Sequence, residues 1–267
     1  MTGPATGLTV GFRTEDHQGV LVVTLDRPPA NALDRALIRD LAALFAELAA
    51  TPAAPPVVLT GRGERFFCAG GDIKALDGAD QCELDSRMRE FHELLVQLDR
   101  YPRPVVAAIN GHCVGGGMEI ALFADTVVAV DHARFGFPEI NHGLLPADKG
   151  VQRATRLLGV RATRSILLTG NLFDARHATE IGLVDRILDP DELIGAAVSA
   201  ARDAGEKARV LYGALKLSIN DPDDALDDTY LSRTLAAAAT YFDDPQARRL
   251  RENWNGGSGA PAQAQPC

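Results

Sequence analysis

Short apolar runs that read as buried strands alternate with stretches of helical periodicity, and this constrains the chain more than any other feature. Residues 19–25 (Gly-Val-Leu-Val-Val-Thr-Leu) are rich in β-branched side chains and are stopped by Arg27-Pro28-Pro29. Residues 57–60, 105–109 and 126–130 are further runs of this kind. Residues 31–50 between them read as a helix that Asp34 can cap, with Leu37, Leu41, Leu44 and Leu48 at three- and four-residue steps. Residues 83–101 repeat the pattern through Leu84, Met88, Phe91, Leu94, Leu95 and Leu98, until Pro102 and Pro104 end it. Another helix starts at Gly115. This order predicts an α/β architecture with right-handed crossovers.

From about Lys149 the pattern turns helical, over 151–158, 161–168, 175–181, 190–205, 207–220 and 225–242, with one short strand at 183–188. The expected division is an α/β core over 1–190, a helical C-terminal region over 191–254, and a disordered tail over 255–267, where Gly, Ala, Pro and Gln dominate. No internal repeat is visible. The 46% apolar fraction of these 267 residues suffices for a packed core. A net charge of −9 with no basic face disfavours nucleic acid and anionic membranes as partners. The first ten residues do not read as a secretory signal and no run reaches membrane-span length, so a cytoplasmic protein is expected.

Chemistry concentrates in two glycine-bearing segments, Phe67 to Lys74 (Phe-Cys-Ala-Gly-Gly-Asp-Ile-Lys) and Asn110 to Glu119 (Asn-Gly-His-Cys-Val-Gly-Gly-Gly-Met-Glu). Glycine lets a backbone N–H approach a ligand closely, and two converging N–H groups can hold an oxygen that gains negative charge. Gly115-Gly116-Gly117 precedes a helix, whose N-terminus suits an anion. A tight turn with close helix packing is the other reading of this triplet. Phosphate-loop and dinucleotide fingerprints do not fit. Glu119 lies in the first helical turn among Met118, Ile120, Ala121, Leu122 and Phe123, an apolar setting that raises a carboxylate pKa. Glu139 is similarly flanked. Two carboxylates sharing a water can divide proton uptake from proton delivery.

Cys68, Cys82, Cys113 and Cys267 show neither metal spacing nor a disulfide framework, and Cys68 and Cys113 read as small buried hydrophobes. His112 and His142 read as packing or hydrogen-bonding residues near the motifs. No metal site is expected. Arg27 and Lys74, beside turns, are exposed-charge candidates for a phosphate contact.

Four blocks then resemble the enoyl-CoA hydratase/isomerase (crotonase) family: Arg27 to Leu33, Phe67 to Lys74, Asn110 to Glu119, and Phe135 to Glu139 with Gly143 to Arg153. The resemblance covers roughly residues 20–189. It implies a crotonase-like spiral of ββα units with a helical C-terminal trimerisation region, and a homotrimer or dimer of trimers. It implies an oxyanion hole from the N–H groups of Gly71 and Gly116 for an acyl-CoA thioester carbonyl. It places CoA near Arg27, Ala32, Ala69, Ile73 and Lys74, as part of the substrate, with no separate cofactor. Glutamates at both positions 119 and 139 favour hydration of the 2,3 double bond, Glu119 activating water and Glu139 protonating the α-carbon. A double-bond isomerase, a dehalogenase, a carbon–carbon hydrolase or a non-catalytic thioester-binding protein are the alternatives.

Two departures stand out. Ala147-Asp148-Lys149-Gly150 replaces the Gly-Ala-Gly-Gly of many hydratases, and a surface ion pair is the expectation for Asp148 and Lys149. The family's usual last-helix motif is also absent from residues 244–254.

Overall fold

The computed structural model describes residues 7–9, 11–76, 79–220, 225–241 and 244–254, so the expected tail lies outside the described residues. Its strands are β1 (Gly7–Thr9), β2 (Phe12–His17), β3 (Val20–Leu25), β4 (Val57–Gly61), β5 (Phe66–Cys68), β6 (Val105–Ile109), β7 (His112–Val114), β8 (Thr126–Val130), β9 (Arg134–Gly136), β10 (Phe173–Asp174) and β11 (Arg186–Leu188). Its helices are α1 (Arg35–Ala50), α2 (Gln81–Arg100), α3 (Gly116–Leu122), α4 (Asp148–Thr169), α5 (Ala175–Glu180), α6 (Pro190–Gly205), α7 (Arg209–Asn220), α8 (Ala225–Tyr241) and α9 (Pro245–Trp254).

The predicted strands form the middle of a seven-stranded sheet, ordered β1-β2-β3-β4-β6-β8-β11. The first three pair antiparallel, and from β3 onward every neighbour is parallel. Every residue of β4 and β6 is buried, as unbroken apolar runs in a parallel sheet covered on both faces require. Helix α6 packs across β3, β4, β6 and β8, so the helical region begins as a cover for the sheet.

A second, four-stranded sheet, β10-β9-β7-β5, holds strands that the sequence does not announce. β5, β7 and β9 are mutually parallel and each follows directly on a strand of the large sheet. The chain therefore makes three successive turns of one kind: β4-β5, β6-β7 and β8-β9, each followed by helical chain. This is the crotonase spiral. It also corrects the reading that no repeat exists: the second strands are three residues long, too short to print a period, and what recurs is topology.

Boundaries moved for local reasons. Helix α1 begins at Arg35 because Asp34 accepts from Leu37 N at 2.8 Å as its cap, while Asn31 has φ 53°. Asn31 instead donates from Nδ2 to Phe66 O at 2.9 Å, tying the first turn of the spiral to the start of the helix. Asp80 caps α2 in the same way. Gly159 at φ 79° breaks α4 where the sequence predicts two helices. The strand expected over 183–188 shrinks to β11, because the N–H groups of Leu183 and Val184 both go to Ala178 O. Helix α9, led by Pro245 at its first position, falls inside the helical region expected over 191–254, although no separate periodic segment marked it. Among the described residues no helix is long and apolar enough to cross a membrane.

Candidate active site

The small sheet sets up the site, because each of its three parallel strands ends beside one cavity. After β5, Gly70 turns the chain with φ 85°. Leu33 N donates to Gly70 O and Asp72 N to Leu33 O, both at 2.8 Å, so Leu33 and Gly71 form an isolated parallel bridge. In that register the Gly71 N–H points away from Leu33. After β7, Gly115 at φ 54° turns the chain into α3, and Gly116 is its first residue, where a helix leaves N–H groups unpaired. Among the described residues neither the Gly71 nor the Gly116 N–H donates a hydrogen bond.

Close approach of the two segments needs glycine. A Cβ on Gly70 would lie 3.4 Å from Gly116 N, and one on Gly117 only 2.7 Å from Cys68 Cβ. The triplet thus serves both readings: Gly117 packs the helix, while Gly115 and Gly116 line the cavity.

That cavity, of about 100 Å³, brings together Gly71, Gly116, Glu119, Glu139, Ala69 and Ile73. Glu119 is 2% exposed, and its Oε1 accepts from Ala147 N at 3.0 Å. Burial pushes its pKa far above the ordinary carboxylate range and the neighbouring Glu139 charge adds to this, against the opposing Ala147 N–H. Glu139 sits in a 3-10 turn, Pro138–His142. Its Oε2 is buried with no hydrogen-bond partner, and burial raises its pKa to about 7. Backbone makes room for both: a Cβ on Gly115 would collide with Glu139 Oε1, and one on Gly150 with Glu119 Oε1. At neutral pH such a pair can hold one proton between two sites, which suits proton transfer in both directions.

Three of the sequence-proposed residues stand apart from the cavity wall. Arg27 donates from Nη1 to Ala32 O (3.1 Å) and pairs with Asp34 (2.9 Å) and Asp72 (2.6 Å), which makes it a brace across the first turn of the spiral. Ala32 contributes that carbonyl. Lys74 is exposed, with its backbone N–H on Asp72 Oδ1 at 3.1 Å.

The segment after Pro146 corrects the expectation of a surface ion pair. Lys149 is 3% exposed and pairs with Asp99 Oδ2 of α2 at 2.9 Å. Its Nζ lies 5.5 Å from the Phe123 ring centroid. Helix α4 starts at Asp148, so the next residue turns inward between α2 and α3, while Ala147 faces the cavity and binds Glu119.

Sequence reasoning missed Arg87 and the apolar wall of Leu84, Met88 and Phe91, which line the cavity together with His142, a residue it had placed near the motifs. The signal for Arg87 was present: it falls between Leu84 and Phe91 on the inward stripe of α2, where a cation needs a reason. His112 instead meets Phe66 edge-on, 5.4 Å between ring centroids. Cys68 and Cys113 are free and buried, and burial pushes the Cys68 thiol up to about 12, so neither is a ready nucleophile.

Known proteins resemble this arrangement along nearly the whole chain. The family model described as enoyl-CoA hydratase/isomerase matches residues 15–255. A carnitinyl-CoA dehydratase of Salmonella arizonae is 36% identical over 78% of this chain and 80% of its own length. A probable enoyl-CoA hydratase of Mycolicibacterium paratuberculosis is 32% identical over 93% and 91%. Among solved structures, an enoyl-CoA hydratase/isomerase from Mycobacterium paratuberculosis superposes with a TM-score of 0.83 at 27% identity, covering 92% of this chain and 99% of the other. With two carboxylates and two unpaired glycine amides lining one cavity at the ends of the small sheet, these likenesses carry one conclusion: the chain belongs to the enoyl-CoA hydratase/isomerase family.

Proposed function

We propose that the protein is an enoyl-CoA hydratase, adding water reversibly across the 2,3 double bond of an acyl-CoA thioester. The observation that carries this reading is the shared cavity, lined by a buried and a partly buried carboxylate together with two unpaired glycine amides. The thioester oxygen takes the Gly71 and Gly116 N–H groups, which stabilise the enolate formed as water adds to the β-carbon. Each such donor is worth ~2.7–4 kcal/mol of transition-state stabilisation. A water held between the carboxylates supplies the hydroxyl, and its proton and the α-carbon proton pass through the pair. Leu84, Met88 and Phe91 suit an apolar acyl chain.

The family resemblance makes Glu119 the base and Glu139 the acid. Burial raises the pKa of both carboxyls, so the pair can keep the single proton that this division of roles needs. Separate pH–rate profiles of Glu119→Gln and Glu139→Gln assign the roles. Leu211, Leu215 and Ile219, exposed at 65%, 64% and 77% and four residues apart on one face of α7, support an assembly interface such as that of a homotrimer or dimer of trimers.

Relatives named hydratase and dehydratase represent the two directions of one water-transfer equilibrium, and both fit this pair. Loss of enoyl-thioester ultraviolet absorbance on adding enzyme is the test. Rates unchanged in both glutamine variants would sink the assignment. Labelled water separates hydration from isomerisation, dehalogenation or carbon–carbon hydrolysis, because only hydration leaves the label as a β-hydroxyl.

A further inference from the structure

Arg87 is a buried cation whose role the proposed chemistry leaves open. It is 5% exposed and lines the cavity from α2. Taking a guanidinium out of water is costly unless its donors are satisfied, and a carboxylate is the usual partner. Among the described residues Arg87 makes no ion pair, although Asp34 and Asp72 are near enough to act on its charge. Its donors go to two main-chain oxygens instead: Nη2 to Leu33 O and Nη1 to Asp72 O, each at 2.9 Å.

Those two carbonyls bracket Gly71. Leu33 O also accepts Asp72 N, and Leu33 N holds Gly70 O, both at 2.8 Å. The peptide groups on either side of Gly71 are therefore fixed to Leu33, and the fork of Arg87 ties the next peptide, between Asp72 and Ile73, to the Leu33 carbonyl. Nη2 lies 2.8 Å from where a Cβ on Gly71 would stand, so the guanidinium is packed directly against this residue. Gly71 itself is exposed on its other side and has no side chain to hold it.

We infer that Arg87 is a positioning residue, whose two-pronged contact with Leu33 O and Asp72 O holds the Gly71 N–H in line for the thioester oxygen. The inference rests on the hydratase reading, in which that amide is half of the oxyanion hole. Lysine cannot replace the fork, because a point-like ammonium does not span two acceptors in one plane.

The test binds a saturated acyl-CoA, carbon-13 labelled at the thioester carbonyl, to the full-length protein and follows the carbonyl stretch by infrared difference. Wild type, Arg87→Met and Arg87→Lys are compared, with melting temperature, kcat and KM for a short 2-enoyl-CoA. The expected result is a downshifted carbonyl in wild type and a smaller downshift in both variants. The Met variant should lose about 10²-fold in kcat, the scale of a misplacement near 1 Å. KM should move little, since a merely structural lesion would lower stability and binding together. A downshift equal to wild type in folded Arg87→Met overturns the inference and leaves the hydratase reading intact. If the Met variant does not fold, Arg87→Lys decides in the same way. No downshift in wild type removes the hole, and the inference falls with it.

Discussion

Two buried polar clusters lie on either side of the start of α4, and they are built on opposite rules. On one side Ala147 faces Glu119 and Glu139, two like charges in an apolar cavity, one of them with an unpartnered oxygen. On the other side Lys149 meets Asp99, with Arg153 3.8 Å from the same carboxylate and Nη1 of Arg153 on Asn220 Oδ1 at 2.6 Å. Asn220 Nδ2 closes the ring on Asp99 O at 3.1 Å. Each cluster holds one carboxylate oxygen without a hydrogen-bond partner, Glu139 Oε2 and Asp99 Oδ1, but only Asp99 has cations beside it. The cluster of opposite charges reads as a clamp joining α2, α4 and α7, whereas two carboxyls in one apolar cavity are costly to the fold, as the proposed chemistry leads one to expect.

The largest effect that can break this contrast is on turnover. Glu119→Gln and Glu139→Gln should each lower kcat by about 10²–10⁴-fold, the range of general acid–base catalysis, without lowering thermal stability. If either variant melts much earlier than wild type at neutral pH, that carboxylate belongs to the structural class instead. The clamp should answer in the other way. Lys149→Met strands Asp99, and chemical denaturation should show a loss of about 3–5 kcal/mol. Adding Asp99→Leu should restore most of it; a double variant as unstable as the single one contradicts the clamp.

A milder substitution tests the backbone that serves the catalytic side. Gly150→Ala places a methyl group against Glu119 Oε1, where overpacking costs roughly 1–3 kcal/mol. The expected reading is a fall in kcat larger than any change in KM, and normal kinetics would mean that Glu119 is free to move.

The smallest effect is the pH dependence of stability. Glu139 has its folded pKa raised from the ordinary 4.5 to about 7, so between these values the folded state binds more protons than the unfolded chain. Its contribution is intact below about 4.5 and is lost as pH rises through about 7. Glu139→Gln should therefore melt a few degrees above wild type at alkaline pH, with the two curves converging toward acid. Parallel curves across that window would place Glu139 in solvent.

Where the chain spends several residues on one signal, the sequence was readable. β4, β6, β8 and the stripes of α1 and α2 all repeat a pattern over four or more positions. Both glycine segments were legible because glycine at φ 54° or φ 85° marks turns that other residues rarely make. The three-residue strands of the small sheet were not, since their pairing is set by the large sheet beneath them. Lys149 shows the same limit at the site. Its burial depends on Asp99, 50 positions away, and nothing local distinguishes it from an exposed lysine. Arg87 was an oversight of another kind, a charge in plain view on an apolar stripe.

The spiral has a consequence for how such a protein can change. Gly71, Gly116 and Glu139 each stand two or three residues beyond the end of β5, β7 and β9 respectively. On the proposed hydratase reading, equivalent corners of three consecutive coils thus supply a donor, a donor and an acid. An alteration confined to one corner swaps one reagent and leaves the other two in place. A scaffold assembled this way can trade its reaction piecemeal while continuing to grip the same thioester.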